Sequence, residues 1–213
     1  MKPVNIIKVY QILGRFTRRF HLPLVDALGK SHRTPFKILM ITMLSARTND
    51  KTTAKIAPKL FKRIRKVKDL EKISQRELEH LIYPVGFYKT KARMLKQWPK
   101  HIKGRIPDTI EQLTKIPGVG RKTANLVEAQ AFHKPAICVD THVHKIMNRL
   151  GYLKTSNATK TEQILRKKLP KRLWSRTNMI LVAFGQNWCT PRNPKCKTCP
   201  IRKYCNRVGL RKV

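Results

Sequence analysis

Residues 113–140 read LTKIPGVGRKTANLVEAQAFHKPAICVD, and this segment predicts a tight turn between two helices. An apolar helix ends near Leu113, the turn is PGVG at 117–120, and a new helix begins at about Arg121. We expect both glycines of the turn to supply positive φ angles and close backbone approach. Because glycine has no side chain, the backbone N–H groups at the start of the new helix stay accessible. The helix start is therefore a predicted phosphate site.

Two charged residues of this segment are candidates for chemistry. Lys122 lies in the first turn of the new helix, where the positive end of the helix dipole opposes its charge. Partial burial would add to this effect and favour a neutral amine, which is a nucleophile at neutral pH. Asp140 is predicted to cap the following helix, with its carboxylate facing the same cleft. The spacing alone also allows a plainer interpretation, in which Lys122 is a solvated lysine and Asp140 only a cap.

The charge of the chain indicates a class of partner. The 213 residues include 48 Lys and Arg against 11 Asp and Glu, a net charge of +37. Such a field favours polyanions and salt-sensitive association with nucleic acid. A lysine-rich, solvated surface would explain part of the excess, and a ribosomal or chromosomal protein would fit equally well. No apolar run approaches the roughly 20 residues that span a bilayer, so we expect no membrane partner.

Helical periodicity dominates the chain, and alternation with a period of two is hardly visible, so the predicted fold class is all-α. Residues 35–44, PFKILMITML, are apolar on nearly all sides, which predicts a helix buried in a bundle. Asn49 or Asp50 is predicted to cap the next helix, and Ser74 with Glu77 forms a capping-box pattern. Further helices are predicted near 4–20, 51–61, 141–150, 159–169 and 174–188, and from the 86–92 turn to about 103.

The cysteines are unevenly distributed. Cys189, Cys196, Cys199 and Cys205 lie within seventeen residues, while Cys138 stands apart and is predicted to be a buried apolar residue. Four thiolates can enclose a metal centre, and such soft ligands suit either zinc or an iron–sulfur cluster. The spacing alone leaves these two equally open. Clustered cysteines without a signal-peptide pattern indicate a reducing cytoplasm rather than a secreted disulfide protein.

The runs IPGVGRKTAN at 116–125 and VDTHV at 139–143 resemble the helix-hairpin-helix-Gly/Pro-Asp signature of base excision DNA glycosylases, most of all the endonuclease III family. The cysteine spacing x6, x2, x5 is similar to the [4Fe-4S] loop of that family, so the resemblance implies an iron–sulfur cofactor. It also implies two all-α lobes. A six-helix barrel module with the hairpin would span residues 28–134, and residues 1–27 with 135–213 would form the iron–sulfur lobe. Lys122 and Asp140 would then face each other across one cleft.

We expect DNA contacts in two short segments. The hairpin would contribute Gly118, Val119, Gly120 and Arg121, and the cysteine loop would contribute Lys195 and Lys197. Cations held beside the cluster would make a second phosphate-binding surface, although ordinary surface lysines are the alternative.

A glycosylase extrudes the damaged base from the duplex and fills the vacated space with a wedge. In the family that this chain resembles, the wedge positions correspond to Arg47 and Phe87. Glutamine and leucine are common there, so both residues are departures from the family pattern. An arginine can still hydrogen-bond the orphaned base, and a phenylalanine can stack on it.

The implied activity is that of a bifunctional DNA glycosylase and AP lyase. Lys122 would attack C1′ of the damaged nucleotide, Asp140 would stabilise the positive sugar, and β-elimination from a Schiff base would cut the strand. The expected partner is double-stranded DNA with damaged bases, chiefly oxidised pyrimidines, or abasic sites. We expect a monomer in the cytoplasm, associated with the nucleoid.

Two alternatives stay open. A monofunctional thymine- or uracil-mismatch glycosylase would share the hairpin but usually lacks the lysine. A non-catalytic DNA-binding protein could retain the hairpin without forming any covalent intermediate. Adenine-mismatch glycosylases fit less well, because they lack a lysine at position 122 and carry a glutamate in the first buried helix.

Overall fold

The computed structural model describes residues 2–20 and 34–210. These residues form eleven α-helices and three short 3₁₀ helices and include no β-strand, so the all-α prediction is confirmed. The α-helices are α1 (Ile6–Phe16), α2 (Pro35–Ser45), α3 (Asp50–Arg63), α4 (Asp69–Lys72), α5 (Gln75–Ile82), α6 (Tyr88–His101), α7 (Ile110–Leu113), α8 (Arg121–Ala131), α9 (Thr141–Leu150), α10 (Ala158–Lys168) and α11 (Trp174–Asn187). The 3₁₀ helices are Thr17–Arg19, Lys171–Leu173 and Arg202–Tyr204.

The chain divides into two compact units. One consists of Met1–Pro23 together with Pro135–Val213, and the other of Leu24–Lys134. The first contains α1 and α9 to α11, and the second contains α2 to α8. The border between residues 27 and 28 expected from the sequence lies outside the described residues. Within the described residues, no helix is both long and apolar enough to cross a bilayer.

The unit 24–134 is built on α2. Eight of its eleven residues are buried, which confirms the prediction of a helix surrounded by others. The helix begins where the Thr34 hydroxyl accepts the N–H of Lys37 at 3.3 Å, with Pro35 at the first helical position. α2 packs against α3 and α8, and the core continues through Leu60 and Trp98. The hairpin helix α8 thus rests directly on the most buried element of this unit.

The helix starts around α2 follow the capping signals. Asn49, not Asp50, is the cap of α3, and its side chain accepts the N–H of Lys51 at 2.9 Å. Ser74 and Glu77 form the predicted reciprocal capping box at the start of α5. α3 continues to Arg63, two residues beyond its predicted end. The extension follows from core packing, because Ile64 directly after the helix is buried and its N–H donates to the Leu60 carbonyl at 2.8 Å.

The other unit packs α1 and α9 against α11. The buried face of α1 includes Tyr10, whose hydroxyl lies 2.8 Å from the Thr177 hydroxyl on α11. Burial raises the pKa of Tyr10 above its usual range. A fully buried segment without helical structure, 136–139, leads into α9 and includes Cys138, which is 2% exposed as predicted. This segment fixes the position at which α9 begins.

Candidate functional site

The turn between α7 and α8 depends on one glycine more than on the other. α8 begins at Arg121 as predicted. Gly118 has φ +81°, and a Cβ there would lie 2.9 Å from Met94 Sδ. Gly120 has φ −85° and open space where its side chain would be, so the expectation of a positive φ is wrong for this residue. The two glycines therefore have different roles: Gly118 allows the backbone of the turn to form beside Met94, whereas Gly120 leaves open space at the surface.

The start of α8 lacks a side-chain cap. Gly120 is the N-cap residue and is exposed, as are Gly118 and Arg121. Val119 differs from its neighbours, because its side chain is buried and its N–H donates to the Ile116 carbonyl at 3.0 Å. Val119 thus shapes the turn from within. The remaining surface is a helix N-terminus whose N-cap residue, Gly120, has no side chain to accept its N–H groups, which suits an anion from outside.

Lys122 is the second residue of this helix. It is exposed, so the partial burial considered from the sequence is not observed. The next three residues, 123–125, are buried, and Asn125 Nδ2 donates to the Arg121 carbonyl at 3.0 Å. These contacts hold the first turn of α8 on the core. Lys122 thus extends to the surface from a helix start that is held in place, close to the positive end of the helix dipole.

Asp140 caps α9, as predicted. Its Oδ1 accepts the N–H of Val143 at 2.9 Å, and its carbonyl accepts the N–H of His144 at 2.9 Å. The side chain is half-buried. Since the preceding segment is buried and the carboxylate is bonded to its own helix, the position of the acid is set by local structure. Asp140 belongs to the unit that contains α9, and Lys122 belongs to the unit that contains α8.

Arg47 and Phe87 lie side by side. Arg47 is in the loop between α2 and α3, Phe87 directly precedes α6, and the Arg47 guanidinium carbon lies 5.8 Å from the Phe87 ring centroid. Both residues are exposed, Phe87 by 63%. Both have positive φ, 54° and 58°. Such a conformation is unfavourable for residues with a side chain, so both loops need support from their surroundings.

Sequence reasoning missed Lys91, which supplies part of this support. Lys91 is 6% exposed, and its Nζ donates to the carbonyls of Leu44 at 2.7 Å and Ala46 at 2.6 Å and to the Thr48 hydroxyl at 3.1 Å. A signal was present, because residue 91 falls on the apolar face of α6 defined by positions 88, 92, 95 and 98. A lysine on such a face must either reach water or bond internally.

The four clustered cysteines line one small cavity whose wall is otherwise largely apolar, with Ile146, Leu150, Phe184 and Ile201 among its residues. Burial raises the pKa of the Cys189 and Cys205 thiols and raises that of Cys199 to about 11, and the neighbouring cysteines add to each increase. Buried thiolates in such a group require a positively charged centre. The donor set thus fits a soft metal group.

The arrangement also bears on which group fits. Among the described residues, no three His, Cys, Asp or Glu side chains lie close enough together to share a single ion. A tetrahedral zinc places every sulfur about 2.3 Å from one ion, whereas a cluster of several irons takes one thiolate at each iron and holds its ligands further apart.

Arg149 holds the first cysteine in place, since its guanidinium donates to the Cys189 sulfur at 3.4 Å and to the Thr190 carbonyl at 2.8 Å.

Two predicted DNA contacts lie on this loop. Lys195 and Lys197 are both exposed. The Lys195 amine lies 4.9 Å from the Trp188 ring centroid, which holds the lysine stem against the end of α11. The Lys197 carbonyl accepts a bond from Arg202 at 3.2 Å. Both cations are therefore carried on a backbone that is fixed by neighbouring side chains.

Comparison with protein families gives two matches. A model described as HhH-GPD superfamily base excision DNA repair protein matches residues 40–171. A second model, described as the iron-sulfur binding domain of endonuclease III, matches residues 189–205. Together they include the hairpin, the residues at 122 and 140, and all four clustered cysteines.

Individual relatives agree with these matches. Endonuclease III of Thermotoga maritima is 42% identical over 188 residues, which cover 85% of this chain and 88% of that protein. The structure of a trapped covalent endonuclease III–DNA intermediate is similar with a TM-score of 0.85 and 33% identity, covering 97% of both chains. A thermostable thymine-DNA glycosylase is similar with a TM-score of 0.82 and 26% identity, covering 94% and 95%.

Proposed function

The chain belongs to the HhH-GPD superfamily of base excision DNA repair proteins, and within it to the endonuclease III family, and we propose which of its residues carry out the DNA glycosylase and AP lyase reactions. One observation supports the assignment above the others. An exposed lysine lies in the first turn of the uncapped helix α8, and a carboxylate is fixed at the start of α9. These are the nucleophile and the acid that the two reactions require.

We propose that Lys122 is the nucleophile. Its amine nitrogen forms a bond to C1′ as the bond from C1′ to the damaged base breaks, and the base leaves with a proton. The Asp140 carboxylate stabilises the positive charge that develops on the sugar. Opening of the sugar ring gives a Schiff base between Lys122 and C1′. Loss of a C2′ proton then breaks the C3′–O bond, which cuts the strand 3′ to the abasic site, and water releases the enzyme.

The hairpin and the cysteine loop hold the DNA in this proposal. Exposed N–H groups at the start of α8 and the side chain of Arg121 bind phosphate oxygens, while Lys195 and Lys197 bind a second stretch of backbone. Arg47 and Phe87 enter the space that the extruded base leaves. The substrates are oxidised pyrimidines in duplex DNA. Because these bases stack and pair poorly, their extrusion costs less free energy than that of an intact base. The enzyme acts as a monomer on nucleoid DNA in the cytoplasm.

The cofactor of the chain is a [4Fe-4S] cluster. We propose that Cys189, Cys196, Cys199 and Cys205 would hold it. When bound, the cluster supplies the positive centre that keeps these thiolates charged. Its role is structural, because it holds Lys195 and Lys197 in place for phosphate binding.

Borohydride trapping tests the proposal. Wild-type protein mixed with a duplex that contains an oxidised pyrimidine should form a covalent adduct after reduction, and Lys122→Gln should form none. Lys115→Gln is the matched control, because it removes an exposed lysine from the same hairpin and should leave trapping unchanged. Asp140→Asn should retain the cap of α9 yet slow base release by about a hundredfold. An adduct formed by Lys122→Gln would disprove the assignment.

The likeness to a thymine-DNA glycosylase favours one specific rival, monofunctional removal of a mismatched thymine or uracil. The same experiment separates the two. Base release from a mismatch without any trapped adduct would support the rival, whereas an adduct that depends on Lys122 supports the bifunctional reaction. A protein that binds the duplex but neither releases a base nor forms an adduct would be a DNA-binding protein only.

A further inference from the structure

Lys91 is a buried cation that forms no ion pair with an acidic side chain among the described residues. Its three acceptors are the Leu44 and Ala46 carbonyls and the Thr48 hydroxyl, all at the C-terminal end of α2 or in the loop that follows. The last carbonyls of a helix lack intrahelical partners and carry partial negative charge. The Lys91 amine therefore caps α2 from a neighbouring helix. The amine is largely removed from water, since Lys91 is 6% exposed, and this burial lowers the pKa of Lys91 to about 8.

The loop that follows α2, to which Lys91 is bonded, contains Arg47. The Thr48 hydroxyl accepts hydrogen bonds from the Lys91 amine and from the backbone N–H of Gly86, each at 3.1 Å. This one hydroxyl therefore links the loop that contains Arg47 to the loop that contains Phe87. A Cβ at position 86 would lie only 2.7 Å from the Arg47 carbonyl oxygen, so the two backbones are in contact. Arg47 and Phe87 are thus presented by two loops that are bonded to each other and to Lys91.

We propose that Lys91 is a positioning residue that holds Arg47 and Phe87 together as one wedge for insertion into DNA. The inference rests on the proposed function, in which these two side chains fill the space of the extruded base. Both residues are held in the left-handed region, which is unfavourable for residues with side chains, so neither loop would keep this shape unaided. The bonds from Lys91 restrain the first loop directly and the second through Thr48.

Loss of the wedge should affect the two reactions of the enzyme unequally. Extrusion of a stacked base needs the wedge, whereas an abasic site has already lost its base and is easier to open. Loss of Lys91 should therefore slow removal of a damaged base more than cleavage at an abasic site that is already present. A purely structural role would lower both activities alike, through a smaller fraction of folded protein.

The chain offers a matched control in Lys96. It lies on the same helix, and its Nζ donates to the carbonyls of Leu70 and Ile73, each at 2.7 Å, at the end of α4. Lys96 thus makes the same kind of helix-end contact away from the wedge loops. Lys91→Met and Lys96→Met each replace an amine by an apolar group of similar length, so both remove the same chemistry.

The experiment compares these variants on a duplex with 2-aminopurine opposite an oxidised pyrimidine. Relative to Lys96→Met, Lys91→Met should release the base about tenfold more slowly in a single turnover and lose the fluorescence change of 2-aminopurine. Trapping on a preformed abasic duplex should differ little between them. Equal rates and equal fluorescence changes for the two variants would overturn the inference.

Two further variants keep the test decisive. Thr48→Val replaces Lys91→Met in the test if the latter does not fold, as judged by its thermal melting. This variant removes only the hydroxyl that links the two loops. An unchanged fluorescence signal in Thr48→Val would overturn the inference. Phe87→Ala should lose the signal with both loops intact, and retention of the signal would refute the wedge itself. Failure of the proposed function looks different, since wild-type protein would then form no adduct on any substrate.

Discussion

Gly118 and Gly120 are two residues apart, but their missing side chains serve different purposes. Gly118 must be glycine for the turn to form, because its φ is +81° and Met94 occupies the space that a Cβ would need. Gly120 adopts a conformation open to any residue and faces empty space. A small residue at position 120 therefore has no structural purpose inside the protein, whereas in the proposed function it allows a phosphate to approach α8 closely.

Alanine at each glycine tests this distinction. Gly118→Ala should lower the free energy of unfolding by at least about 2 kcal/mol, because alanine is strained at positive φ. Gly120→Ala should stay within about 1 kcal/mol of wild type, since loss of a glycine cap and reduced entropy of the unfolded chain oppose each other. It should nevertheless weaken duplex binding several-fold. Urea denaturation and fluorescence anisotropy measure the two effects, and unchanged DNA affinity in Gly120→Ala would contradict the phosphate contact.

At the scale of the element, the start of α5 shows how a short helix is stabilised. The Ser74 hydroxyl accepts the N–H of Glu77, and the Glu77 carboxylate accepts the N–H of Ser74 at 3.0 Å. That backbone bond holds the pKa of Glu77 below its ordinary value of 4.5. A carboxyl group with a lowered pKa in the folded state contributes stability above its unfolded pKa and loses it as the pH falls through the folded pKa.

Glu77→Gln should therefore have a pH-dependent cost. At neutral pH the variant should be less stable than wild type, because the neutral amide is a weaker acceptor than the carboxylate. Below pH 4.5 the two unfolding free energies should converge as Glu77 takes up its proton. Urea denaturation over this range is the measurement. A difference that stays constant from neutral to acidic pH would show that the ionised carboxylate is not what stabilises the helix start.

The elements differ in how far the sequence predicts them. The start of α8, the cap at Asp140 and the burial of α2 followed from local signals, because each depends on residues within one or two turns. The role of Lys91 and the contact between Arg47 and Phe87 did not, because they join segments about forty residues apart along the chain. The conformation of Gly120 was missed for another reason. A glycine whose missing side chain leaves open space at the surface looks in sequence like one that is needed for its positive φ.

For the whole molecule, the net charge can be read from the composition, whereas the reaction depends on particular residues. The net charge of +37 was visible in the composition and indicated a polyanion, but a ribosomal protein would share it. The proposed reaction uses two residues, Lys122 and Asp140, which belong to different compact units. Only the hairpin signature, together with the cysteine spacing, separated a repair enzyme from other basic proteins. The reaction was therefore predicted from the family resemblance, whereas the composition predicted only that the partner is a polyanion.

The cysteine loop shows how a cofactor can take the place of a hydrophobic core. In the described part of the chain after α11, from residue 188 to residue 210, Ile201 is the one buried side chain and the longest helix has three residues. Such a segment has too little apolar area to offset the entropy of ordering it. The bonds from four thiolates to the cluster must therefore supply most of its stability.

Cys199→Ser should remove this support. The variant should lose the visible absorption and iron content of the wild type, and trypsin should then cut the loop at cations such as Lys195 and Lys197, which are exposed. Cys138→Ala is the matched control, because it removes a buried cysteine outside the cluster and should retain both colour and protease resistance. Mass spectrometry of the tryptic fragments identifies the cut sites. If Cys199→Ser lost its iron yet resisted trypsin between residues 189 and 205, the loop would have to be held by protein contacts alone.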